Sequence, residues 1–199
     1  MGLFVHFYFI ILENYMAGFK YLKSQSGGGT TGMVMSYSVD AAHATLLAPG
    51  DAVVITGDGD VNGVSEVDTG NATTANTGVI ESVDFTLAGE TLSETGLLAS
   101  TAGTVKVCVD QFALYEIDAD ATAVVANVGL NVGINVTTAT KSGGLTVSNM
   151  TADMATVATT VTLPYRIVAL LEDADGVLGN RVLVRPNATT ASSGAVGIA

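Results

Sequence analysis

Apolar residues alternate with polar or small residues along much of the chain, and this period of two is typical of β-strands that face a core on one side. The cleanest example is residues 128–136, VGLNVGINV, in which valine, leucine and isoleucine alternate with glycine and asparagine. The pattern predicts a strand whose second face is either wet or closely approached by another segment. Similar patterns predict further strands at residues 33–39, 51–56, 79–87, 104–110 and 112–118.

The strongest pair of predicted strands lies in residues 159–187. This segment contains the longest apolar run after the N-terminus, residues 167–171, and a DADG sequence at residues 173–176. Aspartate and glycine at this density favour a chain reversal, so we predict two strands that flank it. Pro164 lacks a backbone N–H group, so we expect the first strand to begin there, to lie at a sheet edge or to contain a bulge.

Composition supports an all-β protein. Charged residues make up 13% of the chain and hydrophobic residues 48%, which excludes a disordered polar composition. Valine, threonine and glycine are abundant, whereas lysine, arginine, glutamate and glutamine, all strong helix formers, are scarce. Repeated strand signals with turns between them therefore predict a sandwich or barrel-like β-domain with an extended N-terminal arm.

Residues 57–70, GDGDVNGVSEVDTG, contain a candidate calcium-binding sequence. Asp58, Asp60 and Asn62 match the first half of the D-x-[DN]-x-[DN]-G loop. Thr69 occupies the twelfth position, where that loop needs a bidentate glutamate, and no flanking helices are evident. Because aspartate, asparagine and glycine also form turns, we favour a plain β-turn loop, keep the three residues as weak calcium candidates and predict no other cofactor.

The net charge of −12, from 19 acidic and seven basic residues, argues against nucleic-acid binding, which needs cations that displace counterions. The apolar N-terminal run is too short to cross a bilayer, so we predict no membrane partner. We also predict no enzymatic activity, because the sequence contains no catalytic or zinc-binding constellation. Cys108, the single cysteine, is interpreted as a strand residue, and His43 as a hydrogen-bonded surface or half-buried residue.

The sequence divides into four segments by composition. Residues 1–15, MGLFVHFYFIILENY, lack an early basic residue and a small-residue cleavage site, so they make a poor signal peptide. We expect them to be a translated leader or a mis-assigned start, because Met16 opens an ordinary N-terminal sequence. The other segments are a flexible arm at residues 16–32, a β-rich body at residues 33–187 and a loose tail at residues 188–199.

Three parts of the sequence together resemble the small head decoration, or cement, proteins of tailed bacteriophages. The first is the arm MAGFKYLKSQSGGGTTG with the later APGDAVVITG, the second is FALYEIDADA with VGLNVGINV, and the third is TTVTLPYRIVALL with GNRVLVRPN. The resemblance covers most of residues 16–187. It implies a non-enzymatic virion protein that binds the outer face of the capsid, with the major capsid protein as partner, as a homo-oligomer, a trimer or a dimer.

The resemblance also implies an arm that reaches the shell. We predict that Phe19, Lys20, Tyr21 and Lys23 contact the capsid, with the aromatic rings as anchors and the lysines as complementary charges. The acidic body fits the outer face, since packaged nucleic acid would repel it. The alternative from another class is a secreted or surface-displayed β-domain that binds carbohydrate or calcium, which the low content of charged residues and the threonine, glycine and asparagine content favour.

Overall fold

A computed structural model describes residues 18–25, 32–84, 96–142 and 145–190. These residues form β-strands and a short 3₁₀ helix, Val125–Asn127, which confirms the predicted all-β class. Within these ranges, no helix has the length and apolar character needed to cross a membrane. The predicted leader, residues 1–15, lies outside the described residues, as does most of the predicted tail. The strands are β1 Lys20–Ser24, β2 Val34–Val39, β3 Ala52–Gly59, β4 Ser65–Thr69, β5 Gly78–Asp84, β6 Gly103–Cys108, β7 Ala113–Asp118, β8 Asn131–Asn135, β9 Thr140–Ser142, β10 Leu145–Val147, β11 Thr151–Ala158, β12 Tyr165–Glu172 and β13 Leu178–Pro186.

Strands β2 to β6 form a closed barrel in the order β2-β4-β3-β5-β6. Its pairs are antiparallel except that of β2 with β4, which closes the ring through a parallel pairing of Ser38 with Glu66. Alternation decides which side chains fill the barrel: Val105 and Val107 are fully buried, whereas Lys106 between them is exposed. The other buried apolar residues of the barrel core are Tyr37, Val39, Leu47, Val53, Val67, Ile80 and Leu97.

A six-stranded sheet with the order β1-β7-β13-β12-β8-β11 forms the second layer, and β9 and β10 form a separate ribbon. The antiparallel pair β12–β13 lies at the centre of the sheet and confirms the two strands predicted on either side of a reversal. Pro164 immediately precedes β12, as expected for a residue that has no N–H group to donate. The face towards the barrel is apolar, since Ile167, Val182 and Val184 are almost completely buried in the shared core.

The barrel and the six-stranded sheet share a hydrophobic core where they meet. Ala52, Val79 and Cys108 from barrel strands belong to the same buried cluster as Tyr115 from β7. A hydrogen bond also crosses the junction, because the backbone N–H of Ala52 donates to Sδ of Met150 over 3.2 Å. The two units therefore pack as layers of a sandwich-like β-domain.

The predicted loop at residues 57–70 contains strand β4, so the prediction is wrong for the second half of that segment. Val67 provides the physical reason. Its side chain is 1% exposed and fills the barrel, so its burial outweighs the low strand propensity of the acidic residues beside it.

The strand predicted at residues 128–136 is shorter than expected, with β8 at Asn131–Asn135. Gly129 adopts a φ angle of +90°, which interrupts extended backbone just before the strand. Of the two alternatives expected for the second face of β8, the structure shows the close approach of another segment. A Cβ atom on Gly133 would lie 2.6 Å from the carbonyl oxygen of Ala72. Alternation alone could not distinguish this buried face from a wet one.

Parts of the predicted flexible arm and of the predicted loose tail are tied to the body. Lys20–Ser24, within the arm at residues 16–32, form strand β1 and pair antiparallel with β7. Ala188, at the start of the tail, is buried, and the N–H group of Thr190 donates to the carbonyl oxygen of Asn76 over 3.1 Å. Long-range pairing thus orders segments whose own composition carries little strand signal.

Candidate functional site

The four residues predicted to contact a capsid lie in and just before β1, and the structure places them on opposite sides of the strand. Phe19 is buried and Tyr21 half-buried, whereas Lys20 and Lys23 are exposed. Strict alternation would put residue 23 on the same side as residues 19 and 21. A bulge between Tyr21 and Lys23 shifts the register with β7, so Lys23 turns outward instead.

Phe19 packs into the chain's own core. Its side chain is 5% exposed, and its ring centroid lies 4.5 Å from that of Tyr165 and 5.7 Å from that of Tyr115. Its backbone N–H donates to the carbonyl oxygen of Gly50 over 2.9 Å. The predicted role of this ring as an anchor on a neighbouring subunit is therefore corrected: the ring fastens β1 to its own domain.

Gly18 lets the chain enter this position. It adopts a φ angle of +98°, and a Cβ atom there would lie 2.4 Å from Cβ of Ser148. Both the backbone conformation and the close approach exclude larger residues at this point. The sequence shows the glycine but does not indicate that Ser148 lies against it.

Tyr21 is also held by its own chain. Its ring lies edge-on to Tyr115, with centroids 5.9 Å apart, and its hydroxyl oxygen accepts a hydrogen bond from the N–H group of Gly32 over 2.8 Å. Residues 26–31, which contain the predicted glycine joint, lie outside the described residues. The Tyr21 hydroxyl therefore ties β1 to the residues that lead into β2.

The outer side of β1 combines two lysines with an apolar side chain. Lys20 and Lys23 form no ion pair within the described part of the chain, and Leu22 between them is 43% exposed. β1 is the terminal strand of the sheet, so no described strand pairs with its second edge. We call the outward side chains Lys20, Leu22 and Lys23, together with the edge of β1 with which no described strand pairs, the β1 edge. Free strand edges pair readily with other chains.

The acidic residues beside β1 share the charge of one arginine. Lys20 lies opposite Glu116 in the strand register, but Glu116 forms an ion pair with Nη1 of Arg181. Nε of Arg181 also donates to Asp118 over 2.9 Å. Desolvation alone would lower the pKa of Arg181, but the hydrogen bonds and charges of the two carboxylates raise it. Both carboxylates bind Arg181, and neither forms an ion pair with Lys20 or Lys23.

The three weak calcium candidates lie in the β3–β4 hairpin, where the carboxylate of Asp60 organises a turn. Its Oδ1 atom accepts hydrogen bonds from the N–H groups of Asn62 and Val64, each over 2.8 Å. The Val64 bond is the main reason why the pKa of Asp60 is lowered. Asp58 is exposed at the end of β3. Among the described residues, no three His, Cys, Asp or Glu side chains are close enough together to hold a metal ion.

Cys108 is a buried strand residue at the end of β6. Its side chain is 1% exposed, and burial raises the pKa of its thiol, so the nucleophilic thiolate is disfavoured. The main groups that face the thiol are Tyr115 and Asp110. Gly32 also lies close, because a Cβ atom there would meet Sγ of Cys108 at 2.8 Å. The environment is that of a structural cysteine.

Asp51 is a buried acid that sequence analysis missed. It is 1% exposed at the start of β3, where its Oδ2 accepts a hydrogen bond from the N–H group of Ala48 over 2.7 Å. Burial raises the pKa of Asp51 from its ordinary value of 3.8 to about 6, against the opposing hydrogen bonds from Ser148 and Ala48. The sequence shows only that Asp51 ends a turn-forming segment, APGD, and does not indicate that its side chain is buried. Its burial arises from packing between the barrel and the residues before β11.

Comparison of the chain with protein-family models, with curated proteins and with solved structures found no match in any of the three.

Proposed function

We propose that this chain is a virion protein of a tailed bacteriophage that binds the outer surface of the capsid shell and stabilises it. The observation that carries the proposal is the β1 edge, where a strand edge with which no described strand pairs coincides with two lysines that have no ion-pair partner among the described residues. An extended segment of a neighbouring subunit would add to this edge through main-chain hydrogen bonds. The partner is the major capsid protein.

Charge supports a contact through β1. The chain carries a net charge of −12, but two of its seven basic residues lie on one five-residue strand. This strand is therefore locally basic in an acidic protein. Lysines on such a strand favour an acidic surface on the partner and disfavour pairing between unrelated edges. Leu22 is exposed between the two lysines. It would make the apolar contact with the capsid, in place of the buried Phe19.

The acidic body and the resemblance to decoration proteins support the outer face of the shell. Packaged nucleic acid repels a chain with 19 acidic residues, whereas the outer face meets solvent. A small contact suffices there, because a homo-oligomer at a symmetry position of the lattice repeats it in every subunit. Stabilisation follows because each bound oligomer links neighbouring capsid subunits.

The test is co-sedimentation of charge-reversal variants with empty expanded capsids of the phage that encodes the chain. K20E/K23E reverses both lysines of the β1 edge, and we expect it to lose most of its binding while keeping the wild-type circular dichroism spectrum. The control, K106E/K141E, makes the same change in net charge on strands β6 and β9, and with a wild-type circular dichroism spectrum it should still bind. Equal binding by the two variants would refute a contact through β1.

A further inference from the structure

Four large apolar side chains are exposed where a turn joins β12 to β13. Val177 and Leu178, at the start of β13, are 44% and 52% exposed. Val124 and Val125, at the N-terminal end of the 3₁₀ helix, are 57% and 76% exposed. We call these four residues the valine–leucine patch. Contiguous apolar side chains on a surface mark interaction sites, whereas single exposed ones are common on any protein.

The backbone holds the two halves of the valine–leucine patch side by side. The N–H group of Ala123 donates to the carbonyl oxygen of Gly179 over 2.9 Å, and both residues are buried. The hydroxyl group of Thr122 donates to Oδ1 of Asn180 over 2.7 Å. The two segments therefore run in opposite directions here. The residues after Ala123 and those before Gly179 come next in this alignment, so the two halves of the patch are neighbours.

Side-chain hydrogen bonds order the turns that carry the patch. Oδ1 of Asn127 accepts a hydrogen bond from the N–H group of Val124 over 2.7 Å. Oδ1 of Asp173 accepts one from the N–H group of Val177 over 2.8 Å, and its Oδ2 accepts one from Nδ2 of Asn180 over 2.7 Å. Because these turns are already held in place, a partner would order few groups when it binds, which lowers the entropic cost of binding.

Acidic residues flank the patch without a counter-charge. Glu172 lies opposite Leu178 in the register of β12 and β13, and Asp175 is exposed in the turn between these strands. Neither forms an ion pair within the described part of the chain. Arg181, the basic residue nearest to Leu178 in the sequence, binds two carboxylates of β7 instead. The surface thus combines an apolar centre with a negatively charged flank.

We propose that the valine–leucine patch binds a partner protein through a short segment that carries apolar side chains between lysine or arginine residues. The apolar side chains cover the patch, and the basic ones face Glu172 and Asp175. The same charges disfavour other occupants. A second copy placed patch to patch would bring these carboxylates against their own counterparts, and an anionic membrane would be repelled. The inference rests on this patch alone and does not require the capsid role.

The test measures binding of a fluorescein-labelled peptide, Lys-Leu-Val-Leu-Val-Lys, to the full chain by fluorescence anisotropy at physiological ionic strength. V125S/V177S removes two apolar side chains from the patch. V61S/V161S is the matched control, because Val61 and Val161 are also exposed valines but lie outside the patch. We expect at least about tenfold weaker binding by V125S/V177S and nearly unchanged binding by the control, with wild-type circular dichroism spectra for both.

The charged flank is tested separately with the same peptide. E172Q/D175N removes both flanking charges and should weaken binding severalfold, more so at low salt. D58N/E66Q removes the same charge from strands β3 and β4 and should bind like the wild type. A second peptide, Glu-Leu-Val-Leu-Val-Glu, keeps the apolar side chains but reverses the charge, so it should bind the wild-type chain more weakly.

Equal affinities of V125S/V177S and V61S/V161S, or no saturable binding by the wild type, would overturn the proposal. Two further results would overturn it in favour of another occupant. The first is wild-type binding to phosphatidylcholine vesicles that V125S/V177S loses, which would indicate a lipid surface. The second is self-association of the wild type in analytical ultracentrifugation that V125S/V177S loses, which would indicate a second copy of the chain.

Discussion

The ring of Phe19 lies against the ring of Tyr165, with centroids 4.5 Å apart and an angle of 36° between the planes. Tyr165 is the first residue of β12, at the centre of the six-stranded sheet, whereas Phe19 precedes the edge strand β1. The contact therefore fastens the N-terminal segment across the face of the sheet that packs against the barrel. It explains why residues of arm-like composition form a strand.

Truncation of Phe19 should release β1. We expect F19A to lower the free energy of unfolding by about 3–5 kcal/mol, because the change removes a buried aromatic ring and leaves a cavity beside Tyr115 and Tyr165. Urea unfolding followed by circular dichroism measures the loss. L22A on the same strand is the control, since Leu22 is 43% exposed and its truncation should cost little. Equal losses in the two variants would contradict the buried anchor.

Burial of Asp51 predicts a specific pH dependence of stability. Its folded pKa of about 6 lies above its ordinary value of 3.8, so the folded state binds more protons between these values and stability falls as pH rises through this window. One pKa unit corresponds to about 1.4 kcal/mol, so the full effect above pH 6 is about 3 kcal/mol. D51N should remove this part of the pH dependence and be more stable than wild type at pH 8.

Melting temperatures of D51N and wild type, compared from pH 4 to pH 8, test this sign. The exposed change E172Q is the control for altered net charge, and its pH profile should follow that of wild type. A D51N protein that is less stable than wild type at pH 8 would show that the ionised carboxylate is stabilising in the fold.

The thiol of Cys108 should be protected in the folded protein. Because the side chain is 1% exposed and burial raises its pKa, we expect 5,5′-dithiobis(2-nitrobenzoic acid) to react with Cys108 only as the chain unfolds. The reaction rate should rise with urea in parallel with the unfolded fraction. Reaction in native buffer at the rate of a free cysteine would show that the thiol is accessible and would contradict its assignment as a buried structural cysteine.

Arg181 should matter more for stability than an exposed ion pair does. R181M leaves Glu116 and Asp118 side by side without their cation, and we expect a loss of about 2 kcal/mol, less at high salt. K106M is the control, because the pair of Lys106 with Asp84 is exposed and should contribute about 0–1 kcal/mol. Urea unfolding at low and high ionic strength measures both. Similar small decreases in the free energy of unfolding of R181M and K106M would show that Arg181 contributes no more to stability than an exposed ion pair does.

Local pattern was sufficient for the strands that carry their own signal. β12 and β13 were predictable because apolar runs flank a turn sequence, and β6 because Val105 and Val107 alternate with Lys106. β1 and β4 were not, because their sequences, KYLKS and SEVDT, become strands only by pairing with β7 and with β3. Propensity is a weak guide wherever long-range pairing decides the conformation.

The candidate site was predictable only in part for a similar reason. Lys20 and Lys23 were predicted as contact residues from the resemblance to decoration proteins; both are exposed, and their contact with a capsid stays a prediction. The inward direction of Phe19 depends on Gly18, Tyr115 and Tyr165, which come together only in the folded chain.

Binding of the wild-type chain to empty expanded capsids tests the central proposal most directly. The measurement is co-sedimentation at increasing protein concentration, together with the melting temperature of the shells. The account predicts saturable binding at a fixed ratio to the major capsid protein and a higher melting temperature of the decorated shells. Absence of binding by a folded, soluble chain, with an unchanged shell melting temperature, would contradict it.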